Sequence, residues 1–210
     1  MDFDTVVQSY ETVKDILSVG GFDDGIRISG TTGIGLYSLT SEWNGDLRWV
    51  SSGNRKGLTF FESYFRKLQI EDKTKAVLGN CGELMMYSGF FVIRSQMSSP
   101  HYHYDYSDGV GMSALTLMTP VTPVGTTGHL LYEDLGGKER TYEYSPGAAV
   151  SFGAEFNHST QPFESDTPYC FLCFTYGVKD PDRWDLIAET VTHQGMMYRH
   201  PELGVVQTGE

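Results

Sequence analysis

The sequence predicts a mainly β chain with flanking helices, an α+β arrangement whose β part is a sandwich or barrel. From Cys81 onward, short runs of β-branched and aromatic residues alternate with Pro, Gly, Asp and Ser, as in "ELMMYSGFFVIRSQ", "PHYHYDYS", "SALTLMTPVTP", "GHLLYEDL", "ERTYEYSPG", "AAVSFG" and "PYCFLCFTYG". Ahead of them lie two stretches with apolar residues at helical spacing. With 210 residues and 23.5 kDa, the chain is long enough to bury the core of one domain and shows no repeat or Ser/Pro linker that would divide it. We therefore expect a single domain, with an N-terminal elaboration over 1–80, a β core over about 81–178, and a C-terminal helix and tail over 180–210.

In chain order, "DTVVQSYETVKDILSVGG" carries Val6, Tyr10, Val13 and Leu17 on one helical face and stops at Gly20 and Gly21. "GLTFFESYFRKLQIEDKTKAVLG" repeats the pattern through Leu58, Phe61, Phe65 and Leu68, and both helices are expected to pack on the sheet. Between them, Asn44-Gly45 marks a hairpin between β-like runs. "GTTGIG" has the look of a phosphate loop but lacks the βαβ context, so a glycine-bearing strand or bulge is the reading. At the other end, Asp180 as N-cap and Pro181 at the first helical position open a short last helix.

A formal charge of −12 with 15 Lys+Arg and no basic run would repel a phosphate backbone or an anionic bilayer. Nucleic acid and membrane surfaces are thus excluded as partners, and a small molecule is expected. The amino terminus has neither a basic nor an apolar leader, which points to the cytoplasm. Oligomeric state is not written in the sequence, and a homodimer is compatible with it. Cys170 and Cys173 form a C-x-x-C, but in a strand an odd spacing puts them on opposite faces. They read as two small core residues, not a zinc or redox pair.

"SSPHYHYDYS" places His101, His103 and Asp105 at every second position, so an extended segment projects all three from one side. Downstream, His158 follows a strand in the turn "GAEFNHSTQ" and is the third candidate ligand. Two ligands from one segment and one from a distant strand make a facial set: half the coordination sphere is protein, half open, which suits ferrous iron and oxygen chemistry. The plainer reading is a hydrogen-bonded His/Asp cluster without metal, or a three-histidine set of His101, His103 and His158. His129, His193 and His200 show no ligand pairing.

The order His103-Tyr-Asp105, then "GHLLYED", then "SPGAAVSFGAEFNHSTQPF" resembles the iron(II)/2-oxoglutarate-dependent dioxygenases over roughly residues 85–176. The resemblance implies a double-stranded β-helix, or jelly-roll, core with the N-terminal helices packed on its sheet. It also implies Fe(II) held by His103, Asp105 and His158, with 2-oxoglutarate as cosubstrate and O2 as oxidant. Tyr104 and Tyr106 would face away, into packing or solvent. The family usually carries an Arg or Lys about ten residues beyond the distal His; here no basic residue lies between His158 and Lys179, and Pro168 stands near that place. A buried dianion needs a cation. Arg94, on a strand face with Phe90, Val92 and Gln96, is the first candidate to supply it, and Arg140 in "KERTYEYS" the second. The implied activity is hydroxylation or desaturation of a small molecule. A cupin-like isomerase or cosubstrate-independent dioxygenase, and a non-enzymatic jelly-roll binding module, are the alternatives.

Overall fold

The computed structural model describes residues 1–17, 27–28, 32–38, 46–79 and 81–208; the Asn44-Gly45 hairpin lies outside them. Helix α1 (Phe3–Leu17), strands β1 (Arg27–Ile28), β2 (Ile34–Ser38) and β3 (Arg48–Ser52), and helices α2 (Arg55–Lys67) and α3 (Ile70–Leu78) come first. Then follow β4 (Leu84–Met97), β5 (Leu115–Pro120), β6 (Leu130–Glu133), β7 (Glu139–Tyr142), β8 (Val150–Phe152), β9 (His158–Thr160) and β10 (Phe163–Val178). Helix α4 (Trp184–Gln194) and the hairpin β11 (Met197–His200) and β12 (Gly204–Gln207) end the described chain.

A seven-stranded antiparallel sheet, β1-β2-β3-β4-β10-β5-β8, faces a three-stranded one, β7-β6-β9. This is the jelly-roll expected from the sequence. Strands from the 1–80 segment join the larger sheet beside β4, so the elaboration extends the core's own sheet. β4 and β10 pair along almost their whole length, and their near-continuous apolar runs have a physical reason: both faces are buried. Phe91, Ile93, Leu172, Phe174 and Tyr176 lie under the helices. Phe90, Val92, Phe171 and Cys173 face the smaller sheet, where Tyr144 packs 4.7 Å from Phe171 between ring centroids. Cys170 and Cys173 fall on opposite faces as free thiols, as the odd spacing requires.

Asn54 caps α2, its side-chain oxygen accepting from Lys56 N at 2.9 Å. The helix then lays Leu58, Phe61 and Phe65 onto the sheet, Phe61 against Phe91 and Phe65 against Phe174, each pair 5.6 Å apart. Gly89 makes the approach possible, because a Cβ there would stand 2.5 Å from that of Phe61. Over 57–79 the sequence pattern suggests one helix; the structure has two, broken at Gln69 in the left-handed region (φ 54°). Beyond the break α3 buries Ile70 and Thr74. Within "GTTGIG", of which residues 32–35 are described, Gly33 (φ 71°) precedes β2, and its carbonyl accepts from Gly53 N and Asn54 N, so that part is a glycine-bearing strand entry.

Candidate metal centre

Two segments expected in other conformations build the site. "PHYHYDYS" forms no regular strand; it meets β9 in one antiparallel bridge, His103 N to His158 O at 3.0 Å and His158 N to His103 O at 3.1 Å. His158 stands at the start of strand β9, not in a turn. Residues directly opposite in such a bridge project to one face, and the two imidazoles lie 4.5 Å apart between centroids. The chain bends after His103 and returns Asp105 to the same point. Asp105 Oδ1 lies 3.6 Å from His103 Nε2 and 3.7 Å from His158 Nε2, and one ligand atom from each of the three residues lies within 4.8 Å of the others.

The hydrogen bonds decide what these atoms offer. His103 Nδ1 is 2.9 Å from His101 O, and His158 Nδ1 is 3.0 Å from Phe156 O. A carbonyl only accepts, so Nδ1 carries a proton in each ring, and in the neutral imidazole Nε2 then presents a lone pair. With both rings neutral, three acceptors converge at separations too long for hydrogen bonds. A cation at their centre would relieve their mutual repulsion. A facial set with ligand bonds of roughly 2.1 Å needs edges of about 3 Å, so a divalent metal would draw the three residues closer together than they stand here. Burial pushes the pKa of His158 down; Asp105 pulls the other way and His103 adds to the lowering, so the ligating neutral form is favoured. Side-chain exposure falls from 47% at His103 to 19% at Asp105 and 8% at His158, which leaves one side of the centre open. Phe152, 4.6 Å from the His158 ring, and Phe156, at 5.6 Å, wall the other side.

His101 does not join the cluster. Its ring stacks on that of His103 at 5.9 Å, and its backbone N donates to Ser159 Oγ at 2.6 Å, which leaves it on the rim. A single bridge cannot hold three alternating residues to one face. Tyr104 is exposed, but Tyr106 turns inward, buried with its hydroxyl 2.7 Å from Thr116 Oγ1. Thr116 Oγ1 in turn donates to Asp105 Oδ2 at 2.6 Å, and Thr190 Oγ1 of α4 donates to Asp105 O at 2.6 Å. No spacing in the sequence marks these partners; the only signal is a polar residue inside the apolar run "SALTLMT".

Arg94 lies on the inner face of the larger sheet, directly opposite Tyr169 of β10 and thus beside Pro168. Burial lowers its pKa, and no carboxylate lies within ion-pair distance among the described residues; its guanidinium approaches Met97 Sδ at 3.5 Å. Cys173 shares that face and lies near enough to Asp105 and Arg94 for both charges to act on its thiol, whose pKa burial raises. The inner face therefore runs from the triad to a cation that feels the charge of Asp46 but makes no ion pair among the described residues. Arg140 is placed differently: half exposed on β7, it pairs with Asp134 at 2.8 Å, as a solvent-facing hairpin arginine does.

No family model and no curated protein matches the chain. Solved structures do. SnoK, a non-haem alpha-ketoglutarate-dependent carbocyclase from nogalamycin biosynthesis, superposes with TM-score 0.59 at 15% identity over 84% of this chain and 76% of that one. The epimerase SnoN, in complex with Fe3+, alpha-ketoglutarate and nogalamycin RO, gives 0.56 at 13% identity over 85% and 76%. A Pseudomonas putida prolyl-4-hydroxylase gives 0.50 at 14% identity over 85% and 88%. The chain has the fold of the 2-oxoglutarate/iron(II) oxygenases. Within that fold it presents a His-x-Asp…His triad, His103, Asp105 and His158.

Proposed function

We propose that this chain is a non-haem iron(II)- and 2-oxoglutarate-dependent oxygenase that hydroxylates or desaturates a small molecule. The observation that carries the reading is the convergence of two imidazole nitrogens and a carboxylate oxygen, with both Nδ1 atoms bonded to backbone carbonyls and both Nε2 atoms turned to the shared point. Similarity in fold to SnoN, whose structure holds Fe3+ and alpha-ketoglutarate, supports the same cofactors here. Iron bound here would supply the oxidising chemistry, coupling reduction of O2 to conversion of 2-oxoglutarate into succinate and CO2. His103, Asp105 and His158 would hold it, and Phe152 and Phe156 would keep water from its buried side.

Arg94 is the anchor for the far carboxylate of 2-oxoglutarate. The family's usual basic residue is missing near Pro168, and Arg94 stands one strand over, paired in register with Tyr169 on the same inner face. An inward arginine without an ion-pair partner has a dianion as its natural counter-charge. Its buried neighbour Tyr144, held neutral by burial, offers a phenol O–H to the same carboxylate. A cosubstrate-independent metalloenzyme on this fold is the second reading, favoured by the lack of any basic residue between His158 and Lys179.

Anaerobic loading with Fe(II), followed by O2 and 2-oxoglutarate, tests both. Succinate release stoichiometric with 2-oxoglutarate loss is the expected result. A chain that binds iron but forms no succinate, with or without candidate substrates, is the second enzyme.

A further inference from the structure

We infer that Thr116 is a positioning residue that fixes which oxygen of Asp105 faces the metal, and that Tyr106 sets the direction of the Thr116 hydroxyl. The inference rests on the metal-centre reading above. Asp105 has two carboxylate oxygens with different fates. Oδ1 faces the Nε2 atoms of His103 and His158, while Oδ2 accepts from Thr116 Oγ1 at 2.6 Å. A threonine hydroxyl has one proton, and an ionised carboxylate can only accept. That proton is therefore committed to Oδ2, and the 2.7 Å contact between Tyr106 and Thr116 must run from the phenol O–H to Thr116 Oγ1. A directed chain results, Tyr106 to Thr116 to Asp105, ending on the oxygen turned away from the centre.

Each member is held by something rigid. Thr116 lies inside the larger sheet, paired with Thr175 of β10 on one side and Phe152 of β8 on the other. Tyr106 is buried in a cluster with Ile187 and Val191 of α4. Thr190 of the same helix donates to the Asp105 carbonyl, so backbone and carboxylate are tethered separately. This matters because Asp105 sits on no strand; its segment has one bridge, at His103. Without the tethers the carboxylate is free to rotate and to present both oxygens or neither. With them it offers Oδ1 alone, as a one-oxygen ligand, and leaves the rest of the sphere open.

Ni(II) titration by calorimetry of wild type, Thr116→Val, Thr116→Ser and Tyr106→Phe tests this, with Co(II) absorption as a report on coordination. Thr116→Val keeps the side-chain shape and should weaken Ni(II) binding by roughly 10–100-fold, the size of effect that follows loss of an outer partner of a ligand. Its Co(II) spectrum should change, and Thr116→Ser should restore both. Tyr106→Phe should weaken binding less. Ni(II) binding by Thr116→Val within two-fold of wild type overturns the inference, as does a Thr116→Ser variant as weak as Thr116→Val. If Thr116→Val does not fold, the serine and phenylalanine variants decide: unchanged affinity in Tyr106→Phe together with an unchanged Co(II) spectrum overturns it. A wild-type chain that takes up no Ni(II), Fe(II) or Co(II) instead overturns the metal centre itself, a result distinguishable from failure of the threonine alone.

Discussion

Arg94 carries a charge onto the sheet face that also bears Phe90, Val92, Phe171 and Cys173. Charge-assisted hydrogen bonds to a buried carboxylate contribute about 2 kcal/mol, so Arg94→Gln should weaken 2-oxoglutarate binding roughly 30-fold while leaving Ni(II) affinity unchanged. Calorimetry with each ligand separately checks both halves. The triad makes a complementary prediction: His103→Ala, Asp105→Ala and His158→Ala should each abolish Fe(II) binding measured after anaerobic loading. His101→Ala should not, since its ring lies on the rim against His103. His158 also gives the metal-free protein a pH dependence. Its pKa in the fold lies below the ordinary value of 6.5, so the unfolded chain binds the proton more readily. Stability from this group is intact above 6.5 and is lost as pH falls below it, until the folded imidazole also titrates. Thermal unfolding of the metal-free protein should show a midpoint that drops on acidification through that window, and His158→Gln should flatten the drop.

At the scale of elements, the site depends on the junction between a well-specified sheet and a poorly specified segment. β4 and β10 are legible in the sequence because burial on both faces leaves long apolar runs. "PHYHYDYS" has the alternation of a strand but pairs only at His103, and the bend at Asp105 brings its carboxylate round to the two imidazoles. Period-two alternation puts His101, His103 and Asp105 on one side, and the structure brings the latter two together while His101 stands on the rim. β9 was read as a turn since its three residues follow the loop "GAEFN" and are too short to carry a pattern. The layer of helices makes its own prediction. Gly89→Ala would drive a methyl into Phe61, and overpacking of this kind costs about 1–3 kcal/mol. Chemical denaturation should show that loss, with Ni(II) affinity retained because Phe61 lies on the helix side of the sheet, away from the triad.

For the whole molecule, a metal that binds only the folded chain should stabilise it by mass action. At a free concentration about 100-fold above the dissociation constant the gain is about 2.7 kcal/mol. Ni(II) should therefore raise the thermal midpoint of wild type and leave Asp105→Ala unmoved, as scanning calorimetry can show. Among the described residues no helix is long and apolar enough to cross a membrane. The sequence by itself determined the fold class, the opposite faces of Cys170 and Cys173, the kinds of ligand in the site and the missing basic residue near Pro168. Each follows from local rules: side-chain period, turn chemistry and the donor atoms a residue carries. Only the tertiary structure decided that His103 and His158 meet in a single bridge, that Arg94 lies in register with Tyr169, and that Thr116 and Tyr106 stand behind Asp105. Those are contacts between strands distant in sequence, and which strand neighbours which is set by burial of the whole core, a quantity no local pattern contains.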